Sequence, residues 1–172
     1  MKKFIAFALS IITLAASICG CKQNEVELDV FEAGNTLLEN CTFETHEDGV
    51  TVIKPDVIDG EHALRLFGID SALVMQRDSK HQVFACVRAD NPETILVIEA
   101  NSAADAKTIS SGAIEATIKS YKEDSIRYGQ EDMLKINGCI NRVVGRYVFL
   151  IICSDNTSAK KVLDGIVSEA SK

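Results

Sequence analysis

The segment Tyr147-Val148-Phe149-Leu150-Ile151-Ile152 is apolar at every position instead of alternating between apolar and polar side chains. Successive side chains of a β-strand point to opposite faces of its sheet, so an uninterrupted apolar run predicts a strand that is buried on both sides. Such a strand lies in the middle of a sheet. We therefore take it as the centre of the fold and assign the other elements outward from it.

Turn residues divide the chain around this strand into further β-segments. Val144-Gly145-Arg146 predicts a tight hairpin in which glycine supplies a positive φ. Asp78-Ser79-Lys80 and Asp90-Asn91-Pro92 are turn-forming clusters that separate β-rich runs. Short connections between consecutive strands predict antiparallel pairing. The predicted strands are Ala72–Arg77, Gln82–Val87, Thr94–Glu99, Cys139–Val143 and Tyr147–Cys153, with a short strand expected within Phe43–Lys54.

Apolar residues recur at helical spacing in four other segments. Gly34 weakens the first of these helices. Ser102 predicts the start of the third, with Asp105 as its capping-box partner, and Ser154 or Asp155 predicts the start of the last. The predicted helices are Glu25–Asn40, Asp59–Phe67, a long helix from Ser102 to near Tyr128-Gly129, and a final helix after Asp155.

The predicted order is two helices, three strands, a helix, two strands and a helix. Helices are not spread evenly between the strands in this order, which argues against a parallel α/β sheet. We therefore expect an α+β fold. Its architecture would be an antiparallel sheet of about five strands with helices packed on one face, as a two-layer sandwich.

The first residues have the layout of an export signal. Met1-Lys2-Lys3 is positively charged, and Phe4–Ile18 is an apolar run interrupted by only three hydroxyl residues. The run ends at Gly20, short of the roughly 20 apolar residues that a membrane-spanning helix needs. We expect residues 1–20 to be a signal peptide that is removed on export.

Ile18-Cys19-Gly20-Cys21 resembles the bacterial lipobox, in which an aliphatic residue, a tolerant position and a small residue precede the modified cysteine. The resemblance implies diacylglycerol on the Cys21 sulfur and cleavage before Cys21, and leaves open a further acyl group such as palmitate on the new amine. Two acyl chains suffice for stable anchoring. Residues 21–24 would then be the lipidated N-terminus and a short tether, and residues 25–172 a single domain.

The charge balance limits the partners of the chain. Because Lys2 and Lys3 are among the 18 basic residues, the mature chain keeps 16 of them against 25 acidic residues, a net charge of about −9. This acidity argues against nucleic acid, the isolated glycines argue against a nucleotide, and we expect no cofactor. Anionic lipid headgroups repel an acidic domain on a short tether, so the expected partner is a neighbouring protein of the cell membrane, at its extracytoplasmic face.

Carboxylates and imidazoles cluster in two places, whereas the third histidine, His81, stands alone. One cluster is Glu44-Thr45-His46-Glu47-Asp48, and the other is a loop that contains Asp56, Asp59, Glu61 and His62. Neither has the ligand spacing of a zinc or calcium site, so we expect no metal. No catalytic signature such as a nucleophile elbow is present. The leading hypothesis is therefore a non-catalytic binding or accessory module.

The alternative hypothesis is a small extracytoplasmic hydrolase that uses the Asp56–His62 loop. Convergence of these side chains in a concave pocket would favour it.

Four cysteines remain in the mature chain: Cys41, Cys86, Cys139 and Cys153. In an extracellular protein they could form two disulfides, in any of three connectivities. The last three lie in apolar strand segments, where cysteine acts as a small buried hydrophobe. This placement favours free thiols.

A wider resemblance covers most of the mature chain. The motifs that carry it are the lipobox, Leu66 to Asp70, Ile95 to Ala100 before a long helix, and Gly145 to Leu150 before Ser154-Asp155. The chain resembles an uncharacterised family of Gram-positive, clostridial-type lipoproteins that is catalogued as a domain of unknown function. Members more often have Tyr-x-Pro after the long helix and Gly-Asn-Tyr in the hairpin, where this chain has Tyr128-Gly129-Gln130 and Gly145-Arg146-Tyr147. The resemblance implies a lipoprotein of a Gram-positive bacterium and brings no chemistry with it.

Overall fold

The computed structural model describes residues 26–45, 52–124 and 128–172. Its strands are Asp56–Ile58 (β1), Gln76–Arg77 (β2), Lys80–His81 (β3), Val83–Val87 (β4), Thr94–Glu99 (β5), Ile140–Val144 (β6) and Tyr147–Ile152 (β7). Five of them form an antiparallel sheet in the order β1-β4-β5-β7-β6, and β2 pairs with β3 in a separate hairpin. The α+β class and the five-stranded antiparallel sheet are confirmed, and β7 is buried along its whole length.

Four of the six α-helices in the described residues begin where a short polar side chain accepts the first backbone N–H groups. Asp29 and Asp59 cap the first two, and Asp155 caps the last. Ser102 Oγ accepts from Asp105 N at 3.1 Å, so the predicted capping box is present. The helices are Val30–Asn40 (α1), Gly60–Leu66 (α2), Ala103–Ile109 (α3), Glu115–Glu123 (α4), Gln130–Asn137 (α5) and Asn156–Ala170 (α6), with a π-turn at Ser110–Ile114 between α3 and α4.

Helices cover both faces of the sheet, so the expected packing on one face is wrong. One face of β5 and β7, which includes Leu96 and Leu150, packs against α2, α3, α4 and α5. The opposite face, which includes Val97 and Phe149, packs against α1 and α6. The physical reason lies in β5 and β7 themselves, because strands that are apolar on both faces need cover on both. The result is three layers with the sheet in the middle.

Two predicted segments have different structures. Ala72–Arg77 is not a strand of the main sheet, because Asp70 Oδ1 accepts from Ala72 N at 2.9 Å and starts a 3-10 turn at Ser71–Leu73. The fifth strand is instead β1, which the cluster of acidic residues led us to interpret as part of a loop. Two of its three residues are exposed.

The long helix also differs from its prediction. It ends with α4 at Glu123 and not near Tyr128-Gly129, and the unpredicted α5 follows. The short strand expected in Phe43–Lys54 lies partly outside the described residues. Thr45 and Val52, which are described, form an isolated antiparallel bridge. No helix within the described ranges is long and apolar enough to cross a membrane.

Candidate ligand-binding cavity

A cavity of about 490 Å³ opens at one edge of the sheet, between α1, the start of α2 and the β2–β3 hairpin. It exists because β1 is shorter than β4. Ile58 of β1 pairs with Ala85, which leaves Val83 and Phe84 without a β1 partner. The lining residues are Phe31, Asn35, Val57, Ile58, Asp59, Gly60, Glu61, Ser79, Lys80, His81, Val83, Phe84 and Ala85.

The polar side of the cavity is built by two tight backbone turns. Asp59 Oδ1 accepts from Glu61 N at 2.9 Å and from His62 N at 3.2 Å, which starts α2 and commits this oxygen to the helix cap. In the β2–β3 turn, Asp78 and Ser79 have φ values of 50° and 61°, as in the type I′ hairpin turn. The turn folds β3 back along β2 and brings three consecutive residues to the cavity wall.

The hairpin is attached to the sheet by a charged contact. Arg77 Nη2 donates to Oε1 of Glu99, a fully buried carboxylate at the end of β5, at 2.7 Å. Met75 N donates to Glu99 O at 2.8 Å, just before the hairpin begins. These bonds fix the position of the hairpin relative to β4 and so determine the width of the cavity.

His81 is the most heavily engaged polar residue of the cavity. Its Nδ1 contacts Glu61 Oε1, and its Nε2 lies 2.8 Å from Gln76 Nε2. The amide nitrogen is a donor, so a neutral imidazole with its proton on Nδ1 satisfies both contacts. The side chain of His81 is only 8% exposed. Both ring nitrogens are therefore engaged in contacts within the protein.

The apolar side of the cavity comes from residues that face partly outward. Val57 of β1 is 59% exposed and Phe31 of α1 is 45% exposed. Phe31 does not lie on the buried face of the first helix, because Val30, Ala33 and Leu37 form that face. Phe31 lies one residue past Val30, about 100° around the helix, and this offset turns it from the core to the cavity.

The structure brings together only part of the predicted loop. Asp59 and Glu61 line the cavity, whereas Asp56 and His62 are exposed and do not contribute to its wall. His81 takes the place that was considered for His62. His46 falls outside the described residues, and within those residues no group of three or more His, Cys, Asp or Glu side chains could hold a metal ion.

A separate buried charged cluster lies at the β4–β5 turn, close to α5. The fully buried Glu93 accepts from Glu44 N at 3.0 Å and from Ser154 Oγ at 2.7 Å. Lys135 Nζ lies 3.5 Å from Glu93 Oε1, and an Arg88 Nη1 to Glu93 Oε2 contact measures 3.8 Å. Burial by itself lowers the pKa of Lys135, but the charge of Glu93 and the neighbouring carboxylates raise it above its ordinary value. The cluster joins distant parts of the chain, and its charges are paired with one another.

Comparisons of the chain with protein-family models, with curated proteins and with solved structures give no match. A functional proposal therefore has two supports, the motif that ends at Cys21 and the geometry of the cavity.

Proposed function

We propose that the chain is a lipid-anchored protein on the extracytoplasmic face of the cell membrane of a Gram-positive bacterium, where it binds a small ligand without changing it chemically. The observation that carries this proposal is the engagement of His81 and Asp59, two polar residues of the cavity, in bonds within the protein. Both nitrogens of His81 and one oxygen of Asp59 are already bonded within the protein. What remains is an apolar wall beside a polar rim, which suits an amphipathic ligand of small size.

The anchor part of the proposal is supported by the resemblance of Ile18-Cys19-Gly20-Cys21 to a lipobox. The domain is attached to the sheet from Leu28 onward, because Leu28 N donates to the hydroxyl of Tyr147 at 3.0 Å. The chain between Cys21 and Leu28 spans at most about 25 Å when extended. This is longer than a tether of residues 22–24, because α1 begins at Val30 and not at Glu25. A domain on such a tether can still contact a neighbouring membrane protein.

Replacing Cys21 by alanine should abolish lipidation and release the protein from the membrane. The Cys21 sulfur is the atom that would carry diacylglycerol, and alanine has no sulfur. Metabolic labelling with a fatty-acid probe, followed by fractionation, measures both effects. Cys19→Ala is the matched control and should keep label and membrane association. Label that persists in Cys21→Ala would contradict the anchor.

The binding part predicts that a charge placed on the apolar wall expels the ligand. Val57→Glu replaces part of the apolar wall by a hydrated carboxylate, so the apolar part of the ligand loses its contact surface there. We expect about tenfold less bound ligand, the effect of roughly 1.4 kcal/mol. The purified full-length protein is loaded with small molecules from spent culture medium, washed and denatured, and the released compounds are identified by mass spectrometry.

Leu66→Glu is the control for Val57→Glu, because Leu66 is 52% exposed but does not line the cavity. It should retain the ligand like the unmodified chain. Equal losses in both variants, or no retained compound in the unmodified chain, would contradict a binding cavity.

A hydrolase is the second candidate, and the contact between Glu61 and His81 favours it. A carboxylate that holds the Nδ1 side of a histidine is a common arrangement in nucleophilic catalysis, and Ser79 lines the same cavity. The mass of the released compound separates the two candidates. A compound recovered unchanged supports binding, whereas a cleaved product that disappears in His81→Ala supports the hydrolase.

A further inference from the structure

Three of the four cysteines in the described part of the mature chain lie in one apolar cluster. Cys41 caps the C-terminal end of α1, Cys86 lies in β4, and Cys153 follows β7 directly. They pack on the sheet face covered by α1 and α6. Cys139 packs against the cluster on the opposite face, so the sheet separates it from the other three. All four are free thiols in the structure, as the sequence favoured.

Cys41 and Cys153 are close neighbours although 112 positions separate them in the sequence. Ser154 N donates to Thr42 O at 2.9 Å, so the residues that follow the two cysteines are hydrogen-bonded to each other. Both side chains lie in the same apolar cluster, and each thiol shifts the pKa of the other. This backbone bond holds the two chain segments side by side, as the short Cα–Cα separation of a disulfide requires.

We propose that Cys41 and Cys153 are a disulfide site, oxidised by thiol–disulfide exchange with an external disulfide. In the first step the Cys41 thiolate attacks one sulfur of that disulfide, and the other sulfur leaves as a thiolate that takes up a proton. In the second step the Cys153 thiol loses its proton and attacks the Cys41 sulfur, which releases the second thiol. The protein pair loses two electrons, and the external disulfide gains them.

The environment of the two sulfurs supports this order of attack. The chain covers Cys153 completely, whereas Cys41 retains a small exposed fraction of 7%. The hydrogen bond from Cys153 lowers the pKa of Cys41 and outweighs the effect of burial, while the pKa of Cys153 is raised by the same contact and by burial. The thiolate is the reactive form, so Cys41 is the first nucleophile.

The other cysteines are less suited to the exchange. Burial raises the pKa of Cys86 to about 12, and the residue is fully covered. Cys139 has no cysteine on its own side of the sheet within the described residues.

The bond would connect the end of α1 to the end of β7 and enclose every strand of the sheet. A crosslink between positions so distant in the sequence restricts the unfolded chain strongly. The oxidised form should therefore unfold at a higher temperature than the reduced form.

Oxidised glutathione is the probe that tests this site. A full-length chain with Cys19→Ala and Cys21→Ala keeps four cysteines and is purified in mild detergent, so the result does not depend on lipidation or on the cavity. After incubation, alkylation under denaturing conditions should modify two thiols, and peptide mapping should join the peptides of Cys41 and Cys153. The unfolding temperature should rise on oxidation and fall again with reductant.

Single replacements identify the pair. Cys41→Ala and Cys153→Ala should each abolish the crosslink and the rise in unfolding temperature. Cys86→Ala truncates the same core and Cys139→Ala removes the remaining thiol, and both should leave the crosslink intact. Four alkylated thiols after oxidation, a Cys41–Cys86 crosslink, or a glutathione adduct that stays on Cys41 in the chain with all four thiols would each overturn the proposal.

Discussion

Replacing Glu93 by alanine should lower the free energy of unfolding by about 3–5 kcal/mol, the range for removing one partner of a buried ion pair. Glu93 is fully buried, and its carboxylate is the acceptor for Ser154 and for the backbone of Glu44. Lys135, itself largely covered, keeps its positive charge because Glu93 and other carboxylates surround it. Alanine would leave this charge and two donors without their main partner.

A second variant at this position shows whether charge or hydrogen bonding dominates the effect, and a surface variant serves as the control. Glu93→Gln keeps an acceptor oxygen and the shape of the side chain but removes the charge, so its cost should be smaller than that of alanine. Glu123→Ala is the surface control, since Glu123 is exposed and its ion pair in the described part of the chain is with the exposed Lys119 at 3.7 Å. Its cost should be about 0.3–0.5 kcal/mol. Urea unfolding measures all three, and a Glu93→Ala cost no larger than that of the control would contradict a structural role.

The strands of the sheet were largely predictable because their apolar sequence pattern indicates that they are buried. The predicted Thr94–Glu99 agrees with β5, and Tyr147–Cys153 agrees with β7 to within one residue. The same apolar pattern also indicated that both faces of the sheet are covered, which the prediction of helices on one face overlooked. A strand that is apolar on both faces requires a layer on each side, and α1 and α6 provide the second one.

Short elements were less predictable because local polar bonds, and not apolar periodicity, determine them. The side chain of Asp70 starts a turn inside a segment that is rich in β-forming residues. β1 has only three residues, and it exists because β4 offers it an edge to pair with. Neither feature gives a period in the sequence that distinguishes it from a loop.

The cavity was only half predictable. The Asp56–His62 loop marked the place, since Asp59 and Glu61 line the cavity. His81 and Phe31 come from a distant hairpin and from α1, and their approach depends on the tertiary packing of both faces. The nearness of Cys41 and Cys153 is likewise a product of topology, because the residues that follow α1 lie beside those that follow β7.

Gly34→Ala is expected to destabilise the protein, although the same change in an exposed helix would stabilise it by about 1 kcal/mol. Gly34 lies in α1 where the helix crosses β4. A β-carbon at this position would lie 2.2 Å from Cγ and Cδ1 of Phe84 and 2.8 Å from its Cβ. Rotation about the Cα–Cβ bond of Phe84 moves Cγ and Cδ1 away but leaves the Cβ in place, so α1 must shift away from the sheet. Overpacking of this kind typically costs about 1–3 kcal/mol.

The glycine of α6 provides the matched control. A β-carbon at Gly165 would meet nothing within 4 Å, so Gly165→Ala should raise the free energy of unfolding by up to about 1 kcal/mol. Phe84→Ala removes the two ring atoms nearest to position 34, so Gly34→Ala should cost less in that background than alone. Denaturant unfolding of the three single variants and the double variant gives the coupling between positions 34 and 84. Stabilisation by Gly34→Ala, or equal costs in both backgrounds, would show that α1 does not pack against Phe84 at this distance.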